Sequence, residues 1–222
     1  MSAKNKLERF SENDSFDNLF QYSYEEVING FSLKGKWSND FFKNNHPIIL
    51  ELGCGKGEYT VGLAKRNPDM NYIGIDIKGA RMWRGLKSTR EEGLTNVAFI
   101  RTRINLIEHY FDQHEVSEIW ITFPDPQPRE FKAKKRLTSP QFLNQYRKFL
   151  KKNSTIHLKT DNIIFFEYTL DVIKQEKLKL LFSSYDIYEE ALDNELTQIQ
   201  TFYEKKWLDH GTKIKYLKFK LS

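Results

Sequence analysis

The sequence of 222 residues lacks the features that mark disulfide-bonded, metal-caged and membrane-spanning proteins. It contains a single cysteine, Cys54, so no disulfide can form within the chain and a cysteine-based metal cage is excluded. The five histidines do not fall at the spacing of metal ligands. No apolar run is long enough to span a membrane, and residues 1–14 contain no apolar stretch of the signal-peptide type. We therefore expect a soluble, cytoplasmic protein that needs no metal.

The composition is that of a folded protein with a modest positive charge. Aromatic residues make up 14% of the chain and hydrophobic residues 39%, which is enough for one substantial core. The 35 Lys and Arg residues exceed the 30 Asp and Glu residues and give a net charge of +5, which makes an acidic partner such as nucleic acid plausible. Without an internal repeat or a low-complexity linker, we expect an N-terminal arm or lid at 1–46 and a single domain at 47–222.

Apolar strand patterns alternate with amphipathic helix patterns through most of the chain. This alternation predicts an α/β fold, a doubly wound, Rossmann-like, mostly parallel sheet with helices on both faces. The last two strands read as an antiparallel pair, which adds an antiparallel C-terminal strand. The seven predicted strands cover residues 48–52, 72–77, 97–101, 118–123, 155–159, 178–185 and 214–221.

The arm at 1–46 has weaker patterns, and only residues 24–28 suggest a helix there. The Lys-Gly-Lys-Trp segment at 34–37 lies just before the domain begins. It fits either a turn anchored by Trp37 or a contact with RNA, and the residues alone leave both interpretations open.

A glycine-rich loop follows the first strong strand, at residues 53–57, and predicts a nucleotide-type cofactor site. Gly53 and Gly55 let the backbone turn sharply and approach a ligand closely. Glu51 precedes the loop, and Asp76 ends the second strand, where a carboxylate can accept hydrogen bonds from both ribose hydroxyls. An acid before the loop disfavours a pyrophosphate and suits the cationic aminoacyl end of S-adenosylmethionine. A glycine turn without a ligand is the alternative, and Cys54 fits packing better than nucleophilic catalysis.

The stretch from Trp120 to Leu137 predicts the acceptor site. A buried strand stops at three alternating prolines, which stiffen an extended loop and hold Asp125 at the mouth of the strand. A carboxylate there can accept hydrogen bonds from the amino and imino edge of a guanine, whose N7 carries a free lone pair. The alternative is an Asp that only caps a turn. The basic residues that follow fit either a solvated face or phosphate contacts.

Two further segments carry polar groups that fit an acceptor site. Asp161 follows the fifth strand, where it can contact the acceptor or simply cap the next helix. Residues 201–204 place an acid beside two aromatic rings, and locally they read as a helix face.

Taken in order, these motifs resemble the bacterial tRNA (guanine-N7)-methyltransferase family, whose members modify guanosine 46 of the tRNA variable loop with S-adenosylmethionine. The resemblance runs from Lys34 to the C-terminus and includes Glu-Leu-Gly-Cys-Gly-Lys-Gly, Phe-Pro-Asp-Pro, Lys-Arg-Leu-Thr, Lys-Thr-Asp and Thr-x-Tyr-Glu. It implies the fold of class I methyltransferases and a tRNA partner. By position, Asp125 corresponds to the acid at the reaction centre and also touches the donor. The implied donor ligands are Glu51, Gly53, Gly55, Asp76, Arg103 and Asn105. The implied acceptor contacts are Arg129, Asp161, Thr201, Phe202, Tyr203 and Glu204, and the implied phosphate contacts are Lys132, Lys134, Lys135 and Arg136.

The sequence departs from the family pattern in three places. Gln127 and Arg129 replace a usual Trp and Lys, and Lys132 replaces a common His. The family places an adenine-binding Asp after the third strand, where this chain has Arg103, with Asn105 as the nearby polar residue. A small-molecule methyltransferase and a non-catalytic RNA-binding protein that keeps the fold are the alternative functions. The sequence leaves monomer and homodimer open.

Overall fold

The computed structural model describes residues 6–190 and 194–222. The chain divides into two compact units, one ending at Phe111 and the other beginning at Asp112. Residues 1–5 of the predicted arm lie outside the described residues. The division into an arm and one domain stays a prediction.

The first unit alternates strands and helices from its second strand onward. Its strands are β1 (Leu19–Phe20), β2 (Ile48–Leu52), β3 (Asn71–Asp76) and β4 (Val97–Arg101). Its helices are α1 (Lys6–Asn13), α2 (Tyr24–Ile28), α3 (Glu58–Arg66) and α4 (Gly79–Glu91), with a π-helical turn at Trp37–Phe42 and a 3-10 helix at Ile104–His109.

The strands of this unit are all parallel and lie in the order β1-β4-β3-β2. Ile73 pairs with Leu50 on one side and with Ala98 on the other, and all three side chains are fully buried. Such continuous apolar runs are typical of parallel strands that are covered on both faces. The carboxyl ends of four parallel strands therefore meet at one edge of this sheet.

Residues before β2 are more ordered than their patterns predicted. The expectation of a single helix at 24–28 is wrong, because α1 forms as well and packs on α4, where Glu12 accepts a hydrogen bond from Trp83 Nε1 at 2.8 Å. Trp37 is fully buried, and its Nε1 donates to the carbonyl of Tyr110 at 2.9 Å. Of the two interpretations of residues 34–37, the structure favours the anchoring tryptophan.

The second unit begins and ends with strands. Its strands are β5 (Val116–Thr122), β6 (Leu150–Thr160), β7 (Lys179–Ser184) and β8 (Lys215–Leu221). Its helices are α5 (Pro140–Tyr146), α6 (Ile163–Gln175), α7 (Glu195–Gln198) and α8 (Phe202–Asp209), with a 3-10 helix at Glu130–Lys135. Only three residues separate the end of α5 from the start of β6.

The strands of this unit lie in the order β5-β6-β8-β7, and β8 runs antiparallel to both of its neighbours. The predicted fold class, a mostly parallel α/β sheet with an antiparallel C-terminal strand, is confirmed. The count of seven strands is wrong by one, because the described residues include the two-residue strand β1 beside β4. Its short Leu-Phe sequence carries too little pattern to predict a strand.

Candidate functional site

The glycine loop after β2 is held by backbone hydrogen bonds and leaves one face open. The N–H groups of Gly53 and Cys54 both donate to the carbonyl of Ile75 in β3, at 2.8 and 3.0 Å. Gly53 and Gly55 have φ angles of +78° and +56°, which favour glycine. A Cβ at Gly53 would meet nothing within 4 Å, and one at Gly55 would touch only the loop itself. The loop therefore offers exposed backbone to a ligand.

Gly57 serves a different purpose in the same loop. A Cβ there would lie 2.7 Å from the Phe99 ring and 3.3 Å from Cα of Gly85 in α4. The start of α3 thus packs too closely on its neighbours for any side chain at this position. The third glycine maintains packing, and the first two leave space.

The two predicted donor carboxylates are fixed by backbone amides. Asp76 Oδ2 accepts a hydrogen bond from Gly55 N at 2.9 Å, and Oδ1 accepts one from Lys78 N at 2.8 Å. Each oxygen keeps a second lone pair, which can accept from a hydroxyl group. Glu51 is buried, and its Oε2 accepts from Thr60 through both the backbone N–H, at 2.8 Å, and the side-chain hydroxyl.

Cys54 is unsuited to nucleophilic chemistry in this environment. Its side chain is buried, and burial, reinforced by the nearby carboxylates of Glu51 and Asp76, raises the pKa of the thiol well above its usual value. The thiol therefore stays protonated, and the burial of Cys54 fits a packing role.

A cavity of about 650 Å³ opens beside the carboxyl ends of β3 and β4. One wall follows these strands directly and contains Arg103 and Asn105, two of the predicted donor ligands. That wall consists of Ile77, Arg101, Thr102, Arg103, Asn105 and Leu106. The cavity is also lined by residues 21–24, which the sequence patterns did not assign to any site. The feature of the sequence that could have indicated a site here is the presence of two tyrosines, Tyr22 and Tyr24, in this short segment.

The proline loop after β5 carries Asp125, whose side chain is exposed. Its Oδ1 accepts a hydrogen bond from the backbone N–H of Gln127 at 3.1 Å. The predicted extended conformation is wrong at two positions, because Phe123 and Gln127 have φ angles of +48° and +45°. Left-handed conformations of bulky residues cost about 1–3 kcal/mol and concentrate at functional sites. The loop bends sharply on either side of Asp125.

Arg136, predicted to contact phosphate, is buried and holds the proline loop. Its Nε donates to the carbonyls of Pro126 and Gln127 at 3.2 and 3.3 Å, and Nη2 donates to Gln127 at 3.2 Å. The guanidinium carbon lies 4.3 Å from the centroid of the Tyr168 ring. Arg136 therefore supports the backbone that immediately follows Asp125.

The other predicted phosphate contacts lie on the 3-10 helix at Glu130–Lys135. Lys134 and Lys135 are exposed, as is Arg129 at the start of the turn, and Lys132 is half-buried. Against these cations the segment carries one acid, Glu130. The arrangement is a short basic surface directly after the Asp125 loop.

A buried ion pair joins the end of β6 to α8. Lys159 Nζ lies 2.6 Å from Glu204 Oε1, both side chains are fully buried, and Nζ also donates to the carbonyl of Leu196. The hydroxyl of Tyr188 donates to the same Glu204 oxygen at 2.8 Å. Burial lowers the pKa of Lys159 and raises the pKa of Glu204, while their mutual attraction opposes both shifts.

The same ion pair fixes the segment at 201–204. Thr201 and Glu204 form a capping box at the start of α8: Thr201 Oγ1 accepts from Glu204 N at 3.1 Å, and Glu204 Oε2 accepts from Thr201 N at 3.4 Å. Thr201 and Glu204 are buried, whereas the rings of Phe202 and Tyr203 are exposed. Of the four acceptor contacts predicted within this segment, these two rings are the more exposed.

Asp161 does not cap the helix that follows it. The N-cap of α6 is Asn162, whose Oδ1 accepts from Phe165 N at 2.9 Å. Asp161 is half-buried, and burial raises the pKa of its carboxyl group even though the nearby Lys215 opposes the shift. The capping alternative is therefore removed, and Asp161 stays a predicted acceptor contact.

Within residues 6–190 and 194–222, no group of three or more His, Cys, Asp or Glu side chains is arranged to hold a metal ion. None of the helices in these ranges is long and apolar enough to cross a bilayer.

Residues 45–217 match the family model described as "Putative methyltransferase". The chain is 57% identical, over the full length of both proteins, to a tRNA (guanine-N(7)-)-methyltransferase of Christiangramia forsetii. It is 52% identical to the protein of the same name from Bacteroides thetaiotaomicron, covering 99% of this chain and 86% of that one.

The solved structure of the 16S rRNA methyltransferase KamB superposes with a TM-score of 0.64, covering 83% of this chain and 92% of that one. At 14% identity this likeness shows the fold alone. The sequence similarity spans every predicted site segment. The chain therefore belongs to the bacterial tRNA (guanine-N(7)-)-methyltransferase family.

Proposed function

We propose that this protein transfers a methyl group from S-adenosylmethionine to N7 of guanosine 46 in the variable loop of tRNA. The observation that carries the proposal is the full-length, 57% identity to a relative of that name. A cytoplasmic location, where tRNA is found, is part of the same proposal.

The glycine loop and its carboxylates fit the cofactor. The open space beside Gly53 and Gly55 lets the ligand approach the backbone. The Asp76 carboxylate can accept hydrogen bonds from the ribose hydroxyls. Glu51 supplies negative charge for the cationic aminoacyl end. Arg103 and Asn105 lie on the wall of the neighbouring cavity, within the size range of ligand pockets.

The bound cofactor supplies an electrophilic methyl group on a sulfonium sulfur. The lone pair of guanine N7 forms the new C–N bond as the C–S bond breaks, and the sulfur keeps the electron pair of the broken bond. No proton has to leave N7, so the protein needs to orient the base and stabilise the positive charge that develops on it.

Asp125 is suited to both tasks. Its carboxylate can accept hydrogen bonds from the N1–H and amino group of guanine, and its negative charge opposes the charge that develops on the ring. Arg129 and Asp161 are further proposed acceptor contacts. The exposed rings of Phe202 and Tyr203 offer surfaces on which a nucleotide can stack.

The basic turn binds the tRNA backbone in this proposal. Lys132, Lys134 and Lys135 lie close after Asp125 in the chain, and contacts to phosphate position RNA without reading its sequence. Binding that depends on several phosphates weakens steeply as salt rises.

The test uses purified protein, S-adenosylmethionine with a labelled methyl group, and two tRNA transcripts that differ only in carrying G or A at position 46. We expect the label in the G46 transcript alone, recovered as 7-methylguanosine after nuclease digestion and mass spectrometry. Equal labelling of both transcripts would place the target elsewhere.

Two other results would contradict the proposal in informative ways. Cofactor binding by calorimetry without any transfer to tRNA would favour a small-molecule acceptor. Binding of tRNA without binding of S-adenosylhomocysteine would favour a non-catalytic RNA-binding protein.

A further inference from the structure

The cavity beside β3 and β4 has a wall that comes from the N-terminal segment. Strand β1 runs parallel to β4, with Leu19 opposite Phe99 and Phe20 opposite Ile100. The residues that follow β1 therefore emerge at the same edge of the sheet as the residues that follow β4. This pairing brings residues 21–24 to the edge where parallel α/β sheets bind their ligands.

The segment is fixed at both ends. Arg101, at the end of β4, donates from Nη1 to the side-chain oxygen of Gln21 at 3.3 Å. Ser23 caps α2, accepting from Glu26 N at 3.3 Å, while Glu26 Oε2 accepts from Ser23 N at 2.7 Å. Tyr22 lies between these two attachments.

The ring of Tyr22 is held on one side and open on the other. It meets Phe31 edge to face, with ring centroids 5.4 Å apart. Phe31 is itself buried and packs on Tyr110 at 4.9 Å and Trp37 at 5.7 Å. Tyr22 nevertheless keeps 42% of its surface exposed and lines the cavity. A pre-oriented, half-open aromatic ring suits a flat ligand because little conformational freedom is lost on binding.

The lining residues that follow β3 and β4 include no carboxylate that could bind an adenine amino group. The side-chain oxygen acceptors among them are neutral, the buried Thr102 hydroxyl and the Asn105 amide. Adenine therefore gains little from charged hydrogen bonding here and more from contact with a ring face.

We propose that Tyr22 forms the surface on which the adenine of S-adenosylmethionine packs, with Asn105 facing the edge of the base. The inference rests on the proposed function for the identity of the cofactor, and it adds a binding residue from the segment before β2. The N-terminal segment is thereby part of the cofactor site.

Calorimetric titration with S-adenosylhomocysteine tests the proposal in the full-length protein. Tyr22→Leu removes the ring, and we expect its affinity to fall about tenfold or more, the usual scale of a lost base–aromatic stack. Tyr22→Phe keeps the ring and should bind within about twofold of wild type. The matched control is Tyr185→Leu, which removes a 50% exposed tyrosine that does not line this cavity, and its affinity should not change.

Steady-state kinetics distinguish cofactor binding from tRNA binding. Tyr22→Leu should raise the KM for S-adenosylmethionine and leave both kcat at saturating cofactor and the KM for tRNA close to wild type. A raised KM for tRNA alone would assign the cavity to RNA and overturn the proposal.

Photolabelling of wild-type protein gives a result that does not depend on any variant folding. Trypsin releases residues 10–34 as one peptide, because this stretch has no Lys or Arg before Lys34. An 8-azido analogue of S-adenosylmethionine should label this peptide, and an excess of S-adenosylhomocysteine should reduce the labelling.

Results that contradict the proposed cofactor differ from results that contradict only the role of Tyr22. Wild-type protein that does not bind S-adenosylhomocysteine would overturn the proposed cofactor and this inference together. Wild-type binding accompanied by unchanged affinity in Tyr22→Leu, or by labelling confined to other peptides, would overturn this inference alone.

Discussion

The loop after β2 and the loop after β5 both leave the carboxyl end of a parallel strand, yet they are held in different ways. The glycine loop is fixed through its own backbone N–H groups: Gly53 and Cys54 donate to the carbonyl of Ile75 in β3, and Gly55 donates to the Asp76 carboxylate. The proline loop is fixed by a distant side chain, the buried guanidinium of Arg136. A methyl group added to a glycine should therefore disrupt the first loop, and substitution of Arg136 by a neutral residue should disrupt the second.

The contrast also fits the ligands proposed for each loop. A small cofactor needs exposed backbone and open space, which glycine provides. A tRNA nucleotide needs a carboxylate presented at the surface, and Asp125 is exposed on a loop whose backbone is bent and supported. Rigid support behind an exposed group limits the ways in which that group can be misplaced.

The largest expected effect concerns the ion pair that supports the acceptor side. Lys159→Met leaves Glu204 buried without its cation and should lower the free energy of unfolding by about 3–5 kcal/mol. Urea denaturation measures the loss. Lys159→Met combined with Glu204→Leu should recover much of it, because neither charge is then buried. A double variant as unstable as the sum of the two single variants would contradict this account of the pair.

Asp125→Ala separates the two loops by function. We expect methyl transfer to fall about 100-fold or more, because the carboxylate that orients and stabilises the guanine is gone. The affinity for S-adenosylhomocysteine should stay within about twofold of wild type. Loss of cofactor affinity instead would show that Asp125 acts mainly by holding the donor and would contradict its proposed role toward the guanine.

Substitutions at two glycines separate packing from ligand access within one loop. Both positions have positive φ angles, +78° at Gly53 and +70° at Gly57, so an alanine at either one costs about 1–2 kcal/mol in backbone strain. Gly57→Ala also drives a methyl group into Phe99 and the backbone of Gly85, which should destabilise the fold by about a further 1–3 kcal/mol. Gly53→Ala meets open space and should cost only the backbone strain, while weakening S-adenosylhomocysteine binding. Thermal unfolding and calorimetry on both variants check the prediction, and equal stability losses would remove the distinction.

Substitutions of Arg136 and Lys135, which are adjacent in the chain, should affect different steps. Arg136→Met removes the support of the proline loop and should lower kcat about tenfold while leaving the salt dependence of tRNA binding unchanged. Lys135→Met should instead raise the KM for tRNA and reduce the slope of log K against log salt by about one. A reduced salt slope in Arg136→Met would return this residue to the phosphate contacts that the sequence suggested.

The features that the sequence predicts correctly are those whose determinants are local. The first strong strand, the glycine loop and the acid of Asp76 lie within a single β-α-β stretch, so their spacing predicted their arrangement. The strand before Asp125 was predicted for the same reason.

The remaining features depend on residues that are distant in the sequence. Nothing near Arg136 indicates that its guanidinium reaches back to residues 126 and 127, and its basic neighbours favoured an exposed role. The ion pair between Lys159 and Glu204 joins residues 45 positions apart. In the sequence, each of the two belongs to a separate motif, and neither motif indicates the other. The cavity wall at 21–24 depends on β1, a strand too short to show a pattern.

The most direct test of the proposed activity is the modification state of tRNA in cells that lack this protein. Deletion of its gene should abolish 7-methylguanosine at position 46, measured by mass spectrometry of nuclease fragments. Wild-type protein supplied in trans should restore the modification, and Asp125→Ala at equal abundance should not. Unchanged 7-methylguanosine at position 46 in the deletion strain would contradict the proposed function.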